Sequence, residues 1–250
     1  MIPQVAMRLA LRRLKEGAHR PPLVRASDGQ DYVLKLGDQD PDFPACELIA
    51  ALLAPAFGVE VPPVALVSVP DALRSTMVMF GDEWKDLAAP QPGALCFGSR
   101  WIPGLTQRWH NGLVDRVRDL GSLGAVLAFD IYVENGDRRA GSNPNLLLVG
   151  ERIVAIDHGQ ALPCVQGVHG RFPYAFGAHA VWEVLRPRRE RLRTWSAQAL
   201  YLPTDDQIDA AVAAVPSAWW SDPERPARVR QALRDRRSET SVILLELSQP

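Results

Sequence analysis

The residues best equipped for chemistry lie between Asn135 and Gly159. Asn135-Gly136-Asp137-Arg138-Arg139 sets an acid in a loop, and Asn143-Pro144-Asn145 supplies two amides shortly after it. Leu146-Leu147-Leu148 and Ile153-Val154-Ala155-Ile156 read as short apolar strands about a turn at Gly150-Glu151, and Asp157-His158-Gly159 then puts a second acid beside a glycine. One acid able to take a proton, with an amide and an acid able to give oxygen to Mg²⁺, is what phosphoryl transfer asks of a protein. That reaction needs an oriented nucleophile and neutralised phosphate charge more than covalent work. Each piece alone has a plainer meaning, since Asn-Gly-Asp makes a hairpin turn and Asp-His-Gly ends a strand. The residues upstream tip the balance.

Of 28 basic residues only Lys15, Lys35 and Lys85 are lysine. Lys35 sits in the β-leaning run Tyr32-Val33-Leu34-Lys35-Leu36, where alternation turns it away from Leu34 and Leu36. An edge-strand lysine that guards against aggregation is the bland explanation. A chain that otherwise writes its cations as arginine suggests instead a slot for a compact ammonium, such as one reaching the α- and β-phosphates of ATP.

Twelve residues on, Glu47 falls in the first two turns of a helix. Asp42 is its expected cap, Pro44 lies in its first turn, Ile49, Leu52, Leu53, Ala56 and Phe57 recur at helical spacing, and Gly58 stops it. An acid there suits the helix dipole, or it pairs with Lys35 and fixes the lysine; position alone does not separate the two. Ahead of Lys35, Leu23-Val24-Arg25 and the lysine strand flank the turn Ser27-Asp28-Gly29 and so form a hairpin. The segment before it, with Gly17, Ala18 and His19, would overhang a nucleotide bound beneath, although it lacks the Gly-x-Gly-x-x-Gly spacing of protein kinases.

These residues resemble those of the HipA-like kinases, small bacterial relatives of the toxin kinase HipA and more distantly of the phosphatidylinositol kinases. The matching pieces are Tyr-Val-Leu-Lys at 32–35, Glu47, Phe129-Asp130, Asn135-Gly-Asp-Arg-Arg, Asn143-Pro-Asn-Leu-Leu and Ile156-Asp157-His158-Gly159. Phe97-Gly98-Ser99-Arg100-Trp101 resembles the segment linking the two lobes of that group, where adenine lies. The resemblance spans about residues 8 to 165.

It implies an α+β, two-lobed protein-kinase-like fold: a mainly β N-lobe with one key helix over 1–98 and a mainly α C-lobe over 99–250, together one unit. It implies ATP and Mg²⁺ as cofactors, Asp137 as catalytic base, Asp157 as main magnesium ligand, Lys35 on the α/β-phosphates and Glu47 holding Lys35. Gly17, Ala18, His19, Phe97, Gly98 and Ser99 would line the nucleotide. Kinases usually place the metal-binding Asn five residues after the catalytic Asp, and here that position is Ser142. Asn143 fits with one residue inserted; Asn145 fits if the leucine strand sets the register, and is preferred.

A net charge of −1 argues against generic nucleic-acid binding. The arginine-rich stretches 186–193 and 225–237 read as solvated helix faces. Cys46, Cys96 and Cys164 have no metal spacing and read as reduced, mostly buried thiols of a cytoplasmic protein, and no segment is long and apolar enough to cross a bilayer. Val33–Leu36, Val64–Val69 and Met77–Phe80 are the clearest strands. Helices are expected over Val114 to about Glu134, Ala178–Leu185, Asp205–Val215 and Pro226–Gln249, the last with a break at Arg237-Ser238. Pro90-Gln91-Pro92-Gly93 marks a loop, and Trp182, Trp195, Trp219 and Trp220 read as core and rim aromatics.

Two functions remain open. One is an ATP-dependent kinase acting on a protein hydroxyl, its own included, or on a small alcohol. The other is a nucleotide-binding pseudokinase with a regulatory role, favoured by the shifted Asn and the sparse glycine loop. Transfer of AMP in place of phosphate is a third outcome. The acceptor is not legible, because recognition sits on surface loops.

Overall fold

The computed structural model describes residues 1–15, 20–36, 42–79, 82–89, 94–104, 106–142, 144–162, 176–191 and 202–249. Five strands close into a barrel: β1 (Gln4–Arg13), β2 (Pro22–Ala26), β3 (Asp31–Lys35), β4 (Val64–Ser68) and β5 (Leu95–Arg100), in the order β1-β2-β3-β5-β4, with β4 returning parallel to β1. The β2–β3 hairpin turns at Gly29, whose φ of 78° is the left-handed conformation that glycine takes without strain. Alternation sends Met7, Val24, Tyr32, Leu34, Ala65, Val67 and Cys96 into the barrel. Gly98 also faces inward, where a Cβ would stand 2.6 Å from Val67 Cγ2.

The opposite face of the same strands carries Lys35, Phe97 and Leu66 toward a second, larger core. That core includes α1 (Phe43–Leu53) and α4 (Gly121–Tyr132). Every residue of α1 from Pro44 to Ala51 is buried, because β5 covers one side and α6 (Asp205–Ala213) the other. A 3₁₀ turn, Ala54–Phe57, continues α1 to Gly58, which closes it at φ 71° as expected from sequence. Helix α7 (Arg225–Leu247) packs on α4 and α6, and Tyr132 Oη donates to Leu233 O at 2.9 Å. A three-stranded sheet, β6 (Thr106–Arg108), β7 (Leu146–Val149) and β8 (Arg152–Ala155), completes the site-bearing part. No helix among the described residues is long and apolar enough to cross a membrane.

Several expectations need correction. Met77–Met79 ends a helix, α2 (Asp71–Met79), in place of a strand; Leu73 and Met77, one helical turn apart, pack on the barrel while Val78 and Met79 face solvent. Phe80 lies outside the described residues. A short helix α3 (Lys85–Ala88) follows. Residues 111–116 are 3₁₀, and α4 starts only at Gly121, whose N–H donates to the Asp119 carboxylate at 2.8 Å. The span from Ala178 to Leu185 is helical only as a 3₁₀ turn over Phe176–Ala178 and a short α5 (Trp182–Leu185). Helix α7 runs unbroken through Arg237-Ser238, anchored there by Arg237 on Asp205. Phe97, Gly98 and Ser99 lie in β5, paired with β3 on one side and β4 on the other. Trp219 is buried and Trp182 and Trp220 are partly buried, as expected; Trp195 and the Pro90–Gly93 loop lie outside the described residues.

Candidate active site

The hairpin β7–β8 explains the spacing of the chemical residues. Leu146 pairs with Ala155, and Ile156 N–H donates to Asn145 O at 3.0 Å, so Asn145 and Asp157 leave the hairpin side by side at its open end. Both take left-handed backbone, at φ 45° and 59°. Asn and Asp tolerate that region better than other non-glycine residues, and such conformations gather at functional sites.

Lys35 ends β3 and reaches into this corner. Its Nζ lies 2.6 Å from Asp157 Oδ1 and 3.4 Å from Glu47 Oε1. Glu47, nearly fully buried, also accepts the His158 N–H through Oε2 at 3.0 Å. The acid thus does more than meet the dipole of α1: it bridges the lysine strand and the segment after Asp157. Phe43, in the first turn of α1, lies under Lys35 with its ring centroid 5.6 Å from Nζ, and packs so closely on Gly159 that a side chain there would collide with the ring.

Two carboxylates facing one ammonium settle into unlike states. Burial pushes Glu47 up to about 7 against the pull of Lys35. Burial would also raise Asp157, but the nearer Lys35 holds it below the usual carboxylate range. Lys35 would be lowered by burial, yet the two acids keep it above its ordinary value.

On the other side of the corner, Asn145 Nδ2 donates to Asp137 Oδ2 at 3.3 Å. Burial, with Asp157 as a neighbouring negative charge, pushes Asp137 up. Lys35, Glu47, Asp137, Asn145 and Asp157 therefore converge. Gly17, Ala18, His19 and Asn143 lie outside the described residues, as does Cys164; Cys46 and Cys96 are buried.

Beneath the loop lies a polar hub to which the sequence motifs assign no role. Asp130, fully buried in α4, receives Arg138 through both Nε and Nη2, Asn135 Nδ2 at 3.0 Å and His179 Nε2 at 3.0 Å. Arg138 also donates to Asn145 O and, at 3.3 Å, to Pro144 O, and meets His158 Nε2 at 3.0 Å. One guanidinium thus fixes the backbone of Asn145 and the ring next to Asp157. Burial would raise Asp130, but Arg138 and His179 hold it far below the ordinary carboxylate range. Burial pushes His158 down to about 3, with Arg138 adding to the effect, so its ring is neutral. Asp130 carried a sequence signal, a carboxylate inside Ala125–Tyr132, an otherwise apolar helix that would not hold a bare charge. His179, 49 residues away, carried none.

The donor set suits a hard cation bound jointly with phosphate. Among the described residues no three His, Cys, Asp or Glu side chains form a metal cage. Mg²⁺ on phosphates needs only one or two protein oxygens, and the Asp157 carboxylate and the Asn145 amide are such oxygens at one hairpin end.

No curated protein matches the chain. The crystal structure of a Helicobacter pylori proinflammatory kinase, CtkA, resembles it in fold at TM-score 0.57 and 10% identity, over 98% of this chain and 99% of that one. A family model described as HipA-like kinase matches residues 8–241, and the chain belongs to that family.

Proposed function

We propose that this protein is an ATP- and Mg²⁺-dependent phosphotransferase that moves the γ-phosphate to a hydroxyl of a protein, its own included, or of a small molecule. The observation that carries the reading is the meeting of Lys35, Glu47 and Asp157 at one end of the β7–β8 hairpin, with Asp137 and Asn145 at the same end. In this reading Lys35 binds the α/β-phosphates, Glu47 sets its reach, and Asp157 and Asn145 hold Mg²⁺, which neutralises phosphate charge when bound. Asn143 remains the second amide candidate. Asp137 orients the acceptor hydroxyl and takes its proton, a role that the upward push on its carboxyl favours. The nucleotide lies between a β N-lobe, residues 1–98, and a helical C-lobe, residues 99–250. Gly17, Ala18 and His19 cover its phosphates, and Phe97 and Ser99, on the outward face of β5, border its base. The buried thiol of Cys96 fits a cytoplasmic setting.

The test is incubation with γ-labelled ATP, with and without Mg²⁺, following label into the protein, an added acceptor or water. Metal-dependent label on a hydroxyl is the expected result. Bound Mg·ATP with no transfer to any acceptor makes the protein a nucleotide-binding regulator, and label appearing only from α-labelled ATP makes it an AMP transferase. Failure to bind Mg·ATP at all defeats the proposal.

A further inference from the structure

Asp42 stands where a helix cap belongs and does not act as one. Its side chain makes no capping hydrogen bond to α1, and its carboxylate turns toward the C-terminal helices. There it accepts Ser221 N–H and Ser221 Oγ–H, each at 3.1 Å, and pairs with Arg225 at the start of α7. The carboxylate is only 2% exposed. A buried carboxylate with three donors aimed at it is a built contact, since burying such a charge without partners would cost several kcal/mol or more. Two residues before Ser221, Trp219 is fully buried and donates Nε1–H to Leu95 O at 3.3 Å. The segment 219–225 therefore grips both α1 and β5, the strand beside Lys35.

Beyond Asp42, α1 carries the equipment of the site. Phe43 packs on Gly159 and under Lys35, and Glu47 holds His158 N–H and faces Lys35. A helix of 11 residues moves as one body, so a shift at its first residue displaces Glu47 as well.

We infer that Asp42 is a positioning residue: by its bonds to Ser221 and Arg225 it fastens the start of α1 to the C-terminal helix and thereby sets the reach of Glu47 to Lys35. The inference rests on the proposed phosphotransferase reading for its kinetic consequence, but not for its structural one. The C-terminal helix thus governs the nucleotide site without touching nucleotide.

The experiment compares Asp42→Asn, Ser221→Ala, Arg225→Ala and Arg225→Lys in the full chain. The KM for ATP should rise about tenfold in Asp42→Asn and Arg225→Ala and stay within about twofold of the parent in Arg225→Lys, which keeps the charge. Placed on Glu47→Gln, Asp42→Asn should add less than about twofold, because both changes act through the same carboxylate. Full multiplication of the two effects, or a parent KM in a folded Asp42→Asn protein, overturns the inference. Amide exchange at His158, whose N–H is closed by Glu47, decides the matter without nucleotide. It should quicken in Asp42→Asn, and to a smaller degree in Ser221→Ala should Asp42→Asn not fold, while barrel amides keep their protection. Unchanged exchange at His158 sinks the latch. A parent that fails to bind Mg·ATP sinks the phosphotransferase reading instead, and the exchange result still stands.

Discussion

Asn145 and Asp137, eight residues apart, are joined across the loop by a 3.3 Å hydrogen bond from the amide to the carboxylate. The same bond that orients the acid leaves the carbonyl end of the amide as the oxygen able to face a cation. Arg138 locks the arrangement from below by holding Asn145 O.

Replacing Asn145 by Ala should therefore separate metal-linked from metal-free nucleotide binding. ATP should stabilise the parent more with Mg²⁺ than without it, and a ligand at 100 times its Kd contributes about 2.7 kcal/mol, which a thermal melt resolves. In Asn145→Ala the extra Mg²⁺-dependent shift should vanish. The variant should also lose about 1–2 kcal/mol from the missing bond and from alanine at φ 45°. A Mg²⁺-dependent shift surviving in Asn145→Ala and lost in Asn143→Ala would transfer the role to Asn143.

Asp137→Asn keeps the shape of the side chain and removes its ability to take a proton. Transfer should fall by a factor of roughly 10² or more while ATP affinity changes little, because a base acts mainly in the transition state. Lys35→Ala should weaken nucleotide binding itself. Titration of each variant with Mg·ATP beside a turnover assay checks the contrast, and a parent turnover rate in Asp137→Asn would reduce Asp137 to a turn residue.

Legibility in the sequence tracks the range of the interactions. Lys35, Glu47, Asp137, Asn145 and Asp157 stood out because each sits in a short segment with its own local signal: a charge in a strand, an acid early in a helix, acids and amides at turns. The β7–β8 hairpin was equally visible, since two apolar runs around Gly150 leave little else to form. Met77–Met79 misled because three apolar residues in a row fit a strand and a helix end alike. Asp42 misled because a cap position describes only neighbours in sequence, whereas its partners include Ser221, 179 residues away. The closure of the barrel by β4 on β1 and the pairing of His179 with Asp130 are likewise long-range contacts with no periodic trace.

That hub should dominate the stability of the loop. Asp130→Asn leaves the Arg138 charge buried without its counter-ion, a class of change that costs about 3–5 kcal/mol. Arg138→Lys should be nearly as harmful, for an ammonium cannot reach Asp130 and Asn145 O together as the guanidinium does. Denaturant unfolding measures both losses. A cost below about 1 kcal/mol for either would mean that the hub is not a structural determinant of the catalytic loop.

The pH dependence of stability gives the last test, through two groups that pull in opposite directions. His179 Nδ1 accepts the Val181 N–H at 3.3 Å, so the ring proton sits on Nε2, facing Asp130, and the ring is neutral. Burial pushes its pKa down although Asp130 pulls it up. Below about pH 6.5 the unfolded chain takes a proton at this residue that the folded chain refuses, so stability falls with acid by up to about 1.4 kcal/mol per pH unit. Glu47 acts in reverse. Its folded value is pushed up to about 7, so between that pH and the ordinary glutamate value the folded chain keeps a proton that the unfolded chain has lost, and acid stabilises. His179→Gln should accordingly make the loss of stability between pH 7 and 5 smaller than in the parent. Glu47→Gln should make it larger. Melts of the three proteins across that range decide the matter: parallel profiles would show that neither group is shifted, and a steeper profile for His179→Gln would show that its ring is charged in the fold.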